Sequence, residues 1–377
     1  MSSEDPSLSS EQRLPVGYYL DNFELALRTV LQRDMPLFDD EERRRLALFQ
    51  KAPTAARRLI VRLFTRRPGW HRVSMMTYEE IPETADVCRI LTDLALLETY
   101  GGADENRLEI AVCLRAAECR MLLKEAGVRP EGKAGDLQRS VAAGIDGVKL
   151  SAIDGFVRLT DRDLYRRVML LFFANRRQDL SDFVIRDIGH QHYESVALSS
   201  LRLFRRREDA VCCLAWADWR DQVFRTHEAG DGAAVSTAMA EALRLLEDYP
   251  FDGCNDRGRL LLMRPLTTLV REGAVRLEGE KRYEEAITVY DRLLACEISG
   301  DFRNYVVQRL LIDLEKVRRP SRALTVTEDA LTEISDPILR YDLMKRRLRL
   351  AKRVKGYAPP PPKLMTPPER RFEAIRR

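Results

Sequence analysis

The stretch from Arg57 to Ile81 constrains the fold of this chain more than any other segment. Its first half reads RRLIVRLFTRR, in which apolar residues recur with helical spacing and form one broad stripe. Pro68-Gly69 then stops the helix, and residues 70–73 follow as a short extended segment that leads towards the next helix. We therefore predict a helix, a turn and a small wing over residues 57–81.

Five arginines surround the polar faces and the C-terminal end of this predicted helix: Arg57, Arg58, Arg62, Arg66 and Arg67. A basic helix followed by a turn and an aromatic residue suits phosphate binding, because guanidinium groups make bidentate contacts with phosphate oxygens. The alternative interpretation is a solvated basic face beside a tryptophan, Trp70, that packs into the core.

The composition narrows the classes of protein to consider. The chain has 377 residues, enough for two or three domains. Its 63 basic and 59 acidic residues leave a net charge of +4, so DNA binding must rest on local clusters of charge. Seven cysteines form no C-x-x-C pair, which predicts reduced thiols and no zinc site. No apolar run reaches the length of a membrane span, so we expect no membrane association.

Helical periodicity dominates the rest of the chain. Residues 17–33 and 39–51 form two amphipathic helices ahead of the arginine helix, and another helix is predicted from Pro82 to Leu97. We predict a mostly α protein whose strands are confined to a short wing around residues 70–78. Three or four helices with a small wing make the minimal winged-helix architecture, in which the helix before the wing reads the DNA groove.

The motifs between Gly17 and Ile81 resemble the N-terminal region of the Fanconi-associated nuclease 1 family. They are YYL-x-NF, a Glu-rich helix that ends in Phe, VRLF-x-R-[RK]-x-x-W and Y-x-EI, in this order. The resemblance continues through RL-x-x-x-D-L-x-x-R, LFF-x-N-R and QDLS-x-FV in residues 151–187, and through residues 201–219. It implies a structure-specific DNA repair nuclease of the phosphodiesterase I type, which cuts 5′ flaps and other branched DNA near interstrand crosslinks.

The segments after residue 102 look like two further modules of this family. Residues 106–145 combine a helix, a glycine turn, a basic loop and a short helix, which resembles a SAP-type DNA-binding module. Residues 273–295 have the spacing of a tetratricopeptide (TPR) hairpin, and a basic helix at 341–354 closes the array. The predicted organisation is a disordered tail (1–15), a winged-helix-like module (16–102), a SAP-like module (103–150), a TPR-like array (151–355) and a proline-rich linker (356–377).

The resemblance also suggests which side chains contact DNA. In the N-terminal module these are the aromatic pair and the five arginines: Tyr18, Tyr19, Arg57, Arg58, Arg62, Arg66 and Arg67. Lys133 and Arg139 are the candidates in the SAP-like module. In the helical array, Arg244 and Lys281 fall near the position where some family members hold the 5′ phosphate of a flap.

The catalytic chemistry of this family is predicted to be absent from the chain. Its nuclease domain, called VRR-nuc, needs carboxylates that hold Mg²⁺ or Mn²⁺ and a lysine that orients water. Glu131-Gly132-Lys133 matches E-x-K literally, but it follows Pro130 in a glycine-bearing loop without a partner carboxylate. His190-Gln191-His192 has no acidic or cysteine partner at metal-ligand spacing. We therefore expect no catalytic residue, metal site or cofactor here, with the nuclease domain lost or encoded separately.

We accordingly predict the DNA-binding and substrate-recognition part of such a nuclease. Its partners would be branched or flap DNA and a separately encoded VRR-nuc domain, in the cytoplasm with the nucleoid or in a eukaryotic nucleus. The alternative is a TPR-type protein-interaction adaptor that does not bind DNA. Salt-dependent affinity separates the two, because phosphate contacts release counterions.

Overall fold

The computed structural model describes residues 16–183 and 202–357, and His190 and His192 lie outside them. Within the described residues the chain forms sixteen α-helices and one three-stranded sheet, which confirms the predicted mostly α fold. The helices are α1 (Tyr18–Asp34), α2 (Asp40–Lys51), α3 (Thr54–Thr65), α4 (Thr84–Asp93), α5 (Arg107–Val112), α6 (Ala116–Glu125), α7 (Ala134–Gly144), α8 (Gly147–Ser151), α9 (Arg162–Phe173), α10 (Arg207–Glu228), α11 (Ala234–Asp248), α12 (Asp256–Gly279), α13 (Tyr283–Ala295), α14 (Gly300–Lys316), α15 (Pro320–Glu333) and α16 (Pro337–Ala351). The strands are β1 (His71–Arg72), β2 (Leu97–Thr99) and β3 (Phe156–Leu159).

Helices α1, α2, α3 and α9 meet around an aromatic core. The ring of Phe23 packs edge-on against Phe49, Phe64 and Tyr165, with centroids 5.3, 5.9 and 5.6 Å away. Helix α2 begins at a capping box formed by Asp39 and the N3 residue Glu42, each of which accepts a hydrogen bond from the other's backbone N–H. The observed bounds of α1 and α2 agree to within one residue with the helices predicted at 17–33 and 39–51.

The arginine helix α3 ends at Thr65, just before the Pro68-Gly69 turn. Arg162 stabilises its C-terminus by donating hydrogen bonds to the carbonyl oxygens of Leu63 and Arg66, at 3.1 and 2.9 Å. Trp70 follows the turn and is buried, with its ring centroid 5.7 Å from that of Tyr100. The tryptophan thus packs into the core, whereas the functional role of the basic helix is a separate question.

The sheet corrects the expectation that strands would be confined to residues 70–78. Strand β1 lies in that wing, but it pairs antiparallel with β3, and β3 pairs antiparallel with β2, in the order β1-β3-β2. Strand β3 is nearly buried on both faces, so its four residues show no alternation of polar and apolar side chains. Its partners are also distant in sequence, which leaves no local signal of pairing.

Helices α5 to α8 enclose a second apolar cluster together with Trp70, Tyr100 and Phe156. Arg72 of β1 joins this cluster to the sheet through two carboxylates. Its Nη1 donates to both oxygens of Glu118 at 2.8 Å, and its Nε donates to Asp154 at 2.9 Å. The helices predicted as a SAP-like module therefore pack against the sheet of the N-terminal module.

The chain divides into two compact units between Ala210 and Val211, a boundary that falls inside α10. The predicted limits lay at residues 102, 150 and 355, and they placed β3 and α9 in the helical array. In the second unit, each helix from α11 to α16 packs against the next. No helix in the described parts of the chain is both long and apolar enough to cross a membrane.

Candidate nucleic-acid interface

Arg62 lies at the centre of a cluster on the outer face of α3. Its Nε and Nη2 donate to one carboxylate oxygen of Glu80, at 2.9 and 2.6 Å. The same oxygen accepts a hydrogen bond from the hydroxyl of Tyr19 at 2.8 Å. Glu80 therefore connects α3, α1 and the segment before α4 through one largely buried carboxylate.

Aromatic rings and guanidinium groups alternate in this cluster. The Arg62 guanidinium carbon lies 4.2 Å from the ring centroid of Tyr19 and 5.4 Å from that of Tyr78. Arg66 lies 5.0 Å from the Tyr78 centroid. Cation–π contacts hold guanidinium groups in a fixed orientation while their outer N–H donors stay available. We call Tyr19, Arg62, Tyr78, Arg66 and Glu80 the tyrosine–arginine cluster.

The packing of the cluster shifts the pKa values of Tyr19 and Glu80. Burial, followed by the hydrogen bond to Glu80, raises the pKa of Tyr19 to about 12. Burial also raises the pKa of Glu80, but hydrogen bonds from its own backbone, Arg62 and Tyr19 outweigh this and leave the pKa lowered. At neutral pH Tyr19 is therefore a hydrogen-bond donor and Glu80 is an anion.

Two other predicted contact residues of α3 have partners inside the protein. Arg57 forms an ion pair with Glu24 of α1 and donates to the Thr54 hydroxyl at 3.2 Å. Arg58 packs so closely on Gly17 that a Cβ at that position would lie 2.9 Å from its guanidinium nitrogens. These two arginines orient α3 against the start of α1.

Arg66 and Arg67 are the exposed members of the arginine set, and they lie just past the end of α3. Tyr18 of α1 is partly exposed, and its ring packs edge-on against Tyr19 at 5.8 Å. By contrast, Tyr19 is buried and its hydroxyl is already engaged. The structure thus brings most of the predicted N-terminal site residues together, but it exposes only some of them.

The remaining predicted residues lie on separate elements. Lys133 is exposed at the N-cap of α7, and Arg139 on the same helix donates to Asp136 at 2.6 Å. Arg244 on α11 forms ion pairs with Glu241 and Asp248, at 2.7 and 3.1 Å. Lys281 is exposed in the turn after α12.

Sequence reasoning did not single out Tyr78 and Glu80 as site residues. Both belong to the Y-x-EI motif, which carries part of the family resemblance. They lie in a turn that is closed by a hydrogen bond from the Ile81 N–H to the Tyr78 carbonyl oxygen at 3.1 Å. The motif itself was the available signal, because no local spacing predicts that this turn packs against Arg62.

The E-x-K match at residues 131–133 lies in a loop and at the start of α7. Glu131 forms an exposed ion pair with Arg129 at 3.2 Å, and the backbone N–H of Lys133 donates to the Asp136 carboxylate at 2.9 Å. Across the described residues, no group of three or more His, Cys, Asp or Glu side chains is placed to hold a metal ion.

The fold and this cluster define a mostly α protein with an N-terminal helical module, a small antiparallel sheet and a basic aromatic surface. A family model described as FAN1, HTH domain matches residues 17–98. A Fanconi-associated nuclease 1 homolog of Arabidopsis thaliana is 27% identical over 367 residues, covering 93% of this chain and 40% of that protein. A homolog of Pseudomonas aeruginosa is 30% identical over 215 residues, covering 54% of this chain and 38% of that protein.

A solved structure described as paFAN1 bound to 2nt 5′flap DNA with gap has a similar fold. It superimposes with a TM-score of 0.67 at 23% identity and covers 92% of this chain and 59% of the solved chain. Residues 17–98 therefore match the HTH domain of the Fanconi-associated nuclease 1 family, and the chain is similar over most of its length to members of that family. It spans about two fifths of the length of the curated relatives.

Proposed function

We propose that this chain is the DNA-binding and substrate-recognition part of a Fanconi-associated nuclease 1-like DNA repair nuclease. Its ligand would be branched DNA, in particular a 5′ flap. The observation that carries the proposal is the exposed Arg66-Arg67 pair just after α3, in which the Arg66 guanidinium lies 5.0 Å from the ring centroid of Tyr78. Two adjacent guanidinium groups on a rigid support suit the bidentate recognition of phosphates.

The tyrosine–arginine cluster supplies the pre-organisation that such a contact needs. Glu80 neutralises Arg62 and orients it, so the positive charge left for DNA is concentrated on Arg66 and Arg67. Rigid side chains lose less conformational entropy on binding, which raises affinity for a given number of contacts. In this proposal Arg57, Arg58, Arg62 and Tyr19 support the surface, whereas Tyr18, Arg66 and Arg67 contact the backbone.

Similarity to a solved structure bound to flap DNA supports the choice of ligand. Lys133 and Arg139 would add phosphate contacts from α7, and Arg244 and Lys281 would do so from the helical array. We further propose that phosphodiester cleavage belongs to a nuclease domain of the VRR-nuc kind. The E-x-K match at 131–133 is not on a strand, where that chemistry places it.

The test is the replacement of Arg66 and Arg67 by alanine, with binding of a fluorescent 5′-flap duplex measured by anisotropy over a series of salt concentrations. Each lost phosphate contact should reduce the slope of log K against log salt by about one unit, so we expect a reduction of about two. The matched control replaces Arg43 and Arg44, two exposed arginines of α2 that pair with Asp40 and Glu41. The control should retain the wild-type slope.

Equal slopes for the two variants would remove Arg66 and Arg67 from the interface. A wild-type chain that binds neither flap nor plain duplex DNA would overturn the proposed function in favour of a protein-interaction adaptor. Replacing Arg62 as well is a less specific test, because that change also deprives Glu80 and Tyr78 of their partner.

A further inference from the structure

Three basic dipeptides follow alternate helices of the array in the second unit. Lys281-Arg282 follows α12, Arg318-Arg319 follows α14 and Lys352-Arg353 follows α16. Consecutive helices of the array pack against each other, so the turns after α12, α14 and α16 recur once per helical hairpin. We call these six residues the turn surface.

The first two turns have the same backbone conformation. Lys281 and Arg318 adopt left-handed φ values of 61° and 58°. The N–H groups of Lys281 and Arg282 donate to the carbonyls of Glu278 and Leu277, at 3.0 and 2.8 Å. Arg318 and Arg319 repeat this pattern with the carbonyls of Glu315 and Leu314, at 3.2 and 2.9 Å.

This turn normally takes glycine or asparagine, because a longer side chain in the left-handed region costs about 1–2 kcal/mol. Both hairpins instead place a long cationic side chain there. A strained position that is occupied in spite of its cost points to a use for the side chain. The repetition at two equivalent turns strengthens that argument.

Ion pairs show that the three turns lie at the same end of the array. Arg319 in the second turn pairs with Glu284 near the start of α13, next to the first turn, at 3.0 Å. Arg346 and Arg349 of α16 both approach Glu315 near the end of α14, at 3.3 Å. The C-terminal ends of α12, α14 and α16 are therefore neighbours.

This end of the array carries excess positive charge. Residues 345–355 include seven lysines and arginines and no acidic residue. Arg282 and Arg319 are engaged by glutamates. The other four side chains are exposed and form no ion pair with any carboxylate in the described part of the chain: Lys281, Arg318, Lys352 and Arg353.

We propose that the turn surface is a second DNA-binding surface, which contacts successive phosphates of a duplex arm. Packed helices lie roughly 8–10 Å apart, so cations on successive turns form a row and not one compact cluster. A polyanion with regularly spaced charges, such as a DNA backbone, satisfies them together. This inference rests on the proposed function, since it assumes that the chain binds DNA.

The competing explanation is that the cations only stabilise helix C-termini through the helix dipole. Replacing Lys281 and Arg318 together by asparagine separates the two, because asparagine is well accepted in this turn and removes the charge. If the cations bind DNA, the K281N/R318N variant should melt no lower than wild type, and its affinity for DNA should depend less on salt. The expected change is a slope of log K against log salt that is smaller by about two units.

The experiment measures binding of the full chain to a fluorescent flap duplex by anisotropy, and thermal unfolding by circular dichroism. The control variant R264Q/R271Q removes two charges from the exposed side of α12 and should retain the wild-type slope. If wild type binds DNA and K281N/R318N binds with the same slope, the turn surface does not bind DNA, and the proposed function still stands. If wild type binds no DNA, both the proposed function and this inference are wrong. If K281N/R318N loses binding to vesicles of anionic phospholipid but not to DNA, the surface is a membrane contact and the inference is wrong.

Discussion

Arg62 donates two hydrogen bonds to a single carboxylate oxygen of Glu80, 18 residues further along the chain. The guanidinium carbon of Arg62 also lies 4.2 Å from the ring centroid of Tyr19 and 5.4 Å from that of Tyr78. Glu80 is an anion in the middle of a basic surface, where it would repel a phosphate that came close. Glu80 therefore has a structural role, because it orders the side chains that surround the exposed Arg66.

Replacing Glu80 by alanine should destabilise the fold by about 1–3 kcal/mol, because the buried Tyr19 hydroxyl and Arg62 lose their acceptor. Glutamine should cost less, since its amide oxygen still accepts one of these hydrogen bonds. Urea denaturation of E80A, E80Q and the exposed-site control E79A measures the differences. Equal midpoints for E80A and E79A would contradict a structural role for Glu80.

The chain should lose stability in alkali through Tyr19. The pKa of Tyr19 is raised from 10.0 to about 12 on folding, chiefly by burial, so its contribution is complete below pH 10 and is lost as the pH rises towards 12. Relative to Y19F, which cannot ionise, wild type should lose up to about 2–3 kcal/mol over this interval. Denaturation at several pH values tests this expectation. Parallel losses in the two proteins would show that Tyr19 ionises normally.

Arg72 should be among the residues most costly to replace on the sheet. Its side chain is 11% exposed and joins Glu118 to Asp154, of which Asp154 is 8% exposed. R72A leaves these carboxylates without their cation, and we expect a loss of about 3 kcal/mol. R89A, which removes an exposed i,i+3 pair with Asp86, should change stability by less than about 0.5 kcal/mol. Chemical denaturation of both variants compares them directly.

Two glycines should respond in opposite directions to alanine. A Cβ at Gly147 would overlap the carbonyl oxygen of Gly102 and lie 2.8 Å from the Tyr100 hydroxyl oxygen, so G147A should cost about 2–3 kcal/mol. At Gly135 in α7, the nearest atom to a new Cβ is an Arg139 nitrogen at 3.8 Å. G135A should therefore stabilise the helix by up to about 1 kcal/mol. The prediction is met if G147A melts at a lower temperature than wild type and G135A melts at a higher one.

We expect the purified chain to bind a 5′-flap duplex in the presence of Mn²⁺ without cutting it. Metal-dependent phosphodiester cleavage uses carboxylates clustered around the metal, whereas Glu131 pairs with Arg129 in an exposed loop. A denaturing gel of the labelled flap strand is the measurement. Cleavage that persists through purification and is abolished in E131Q/K133A would locate an active site there.

Much of the helical architecture could be predicted from the sequence. The apolar stripes of α1 to α3 recur with a period of 3.6 residues, and local signals such as the Asp39 capping box and Pro68-Gly69 mark where these helices begin and end. Strand β3 could not be predicted in this way. Its four residues are too few to show a period, and its partners lie about 60 residues or more away along the chain.

The candidate site likewise has one part that the sequence predicts and another part that it does not. The sequence by itself determined that five arginines gather on and just after one helix, because helical spacing alone places them there. Only the tertiary structure decided which of them face solvent. Glu24, Gly17 and Glu80 come from other elements and engage Arg57, Arg58 and Arg62, which leaves Arg66 and Arg67 exposed. Such pairing depends on three-dimensional contacts between distant segments, and no local pattern of residues encodes it.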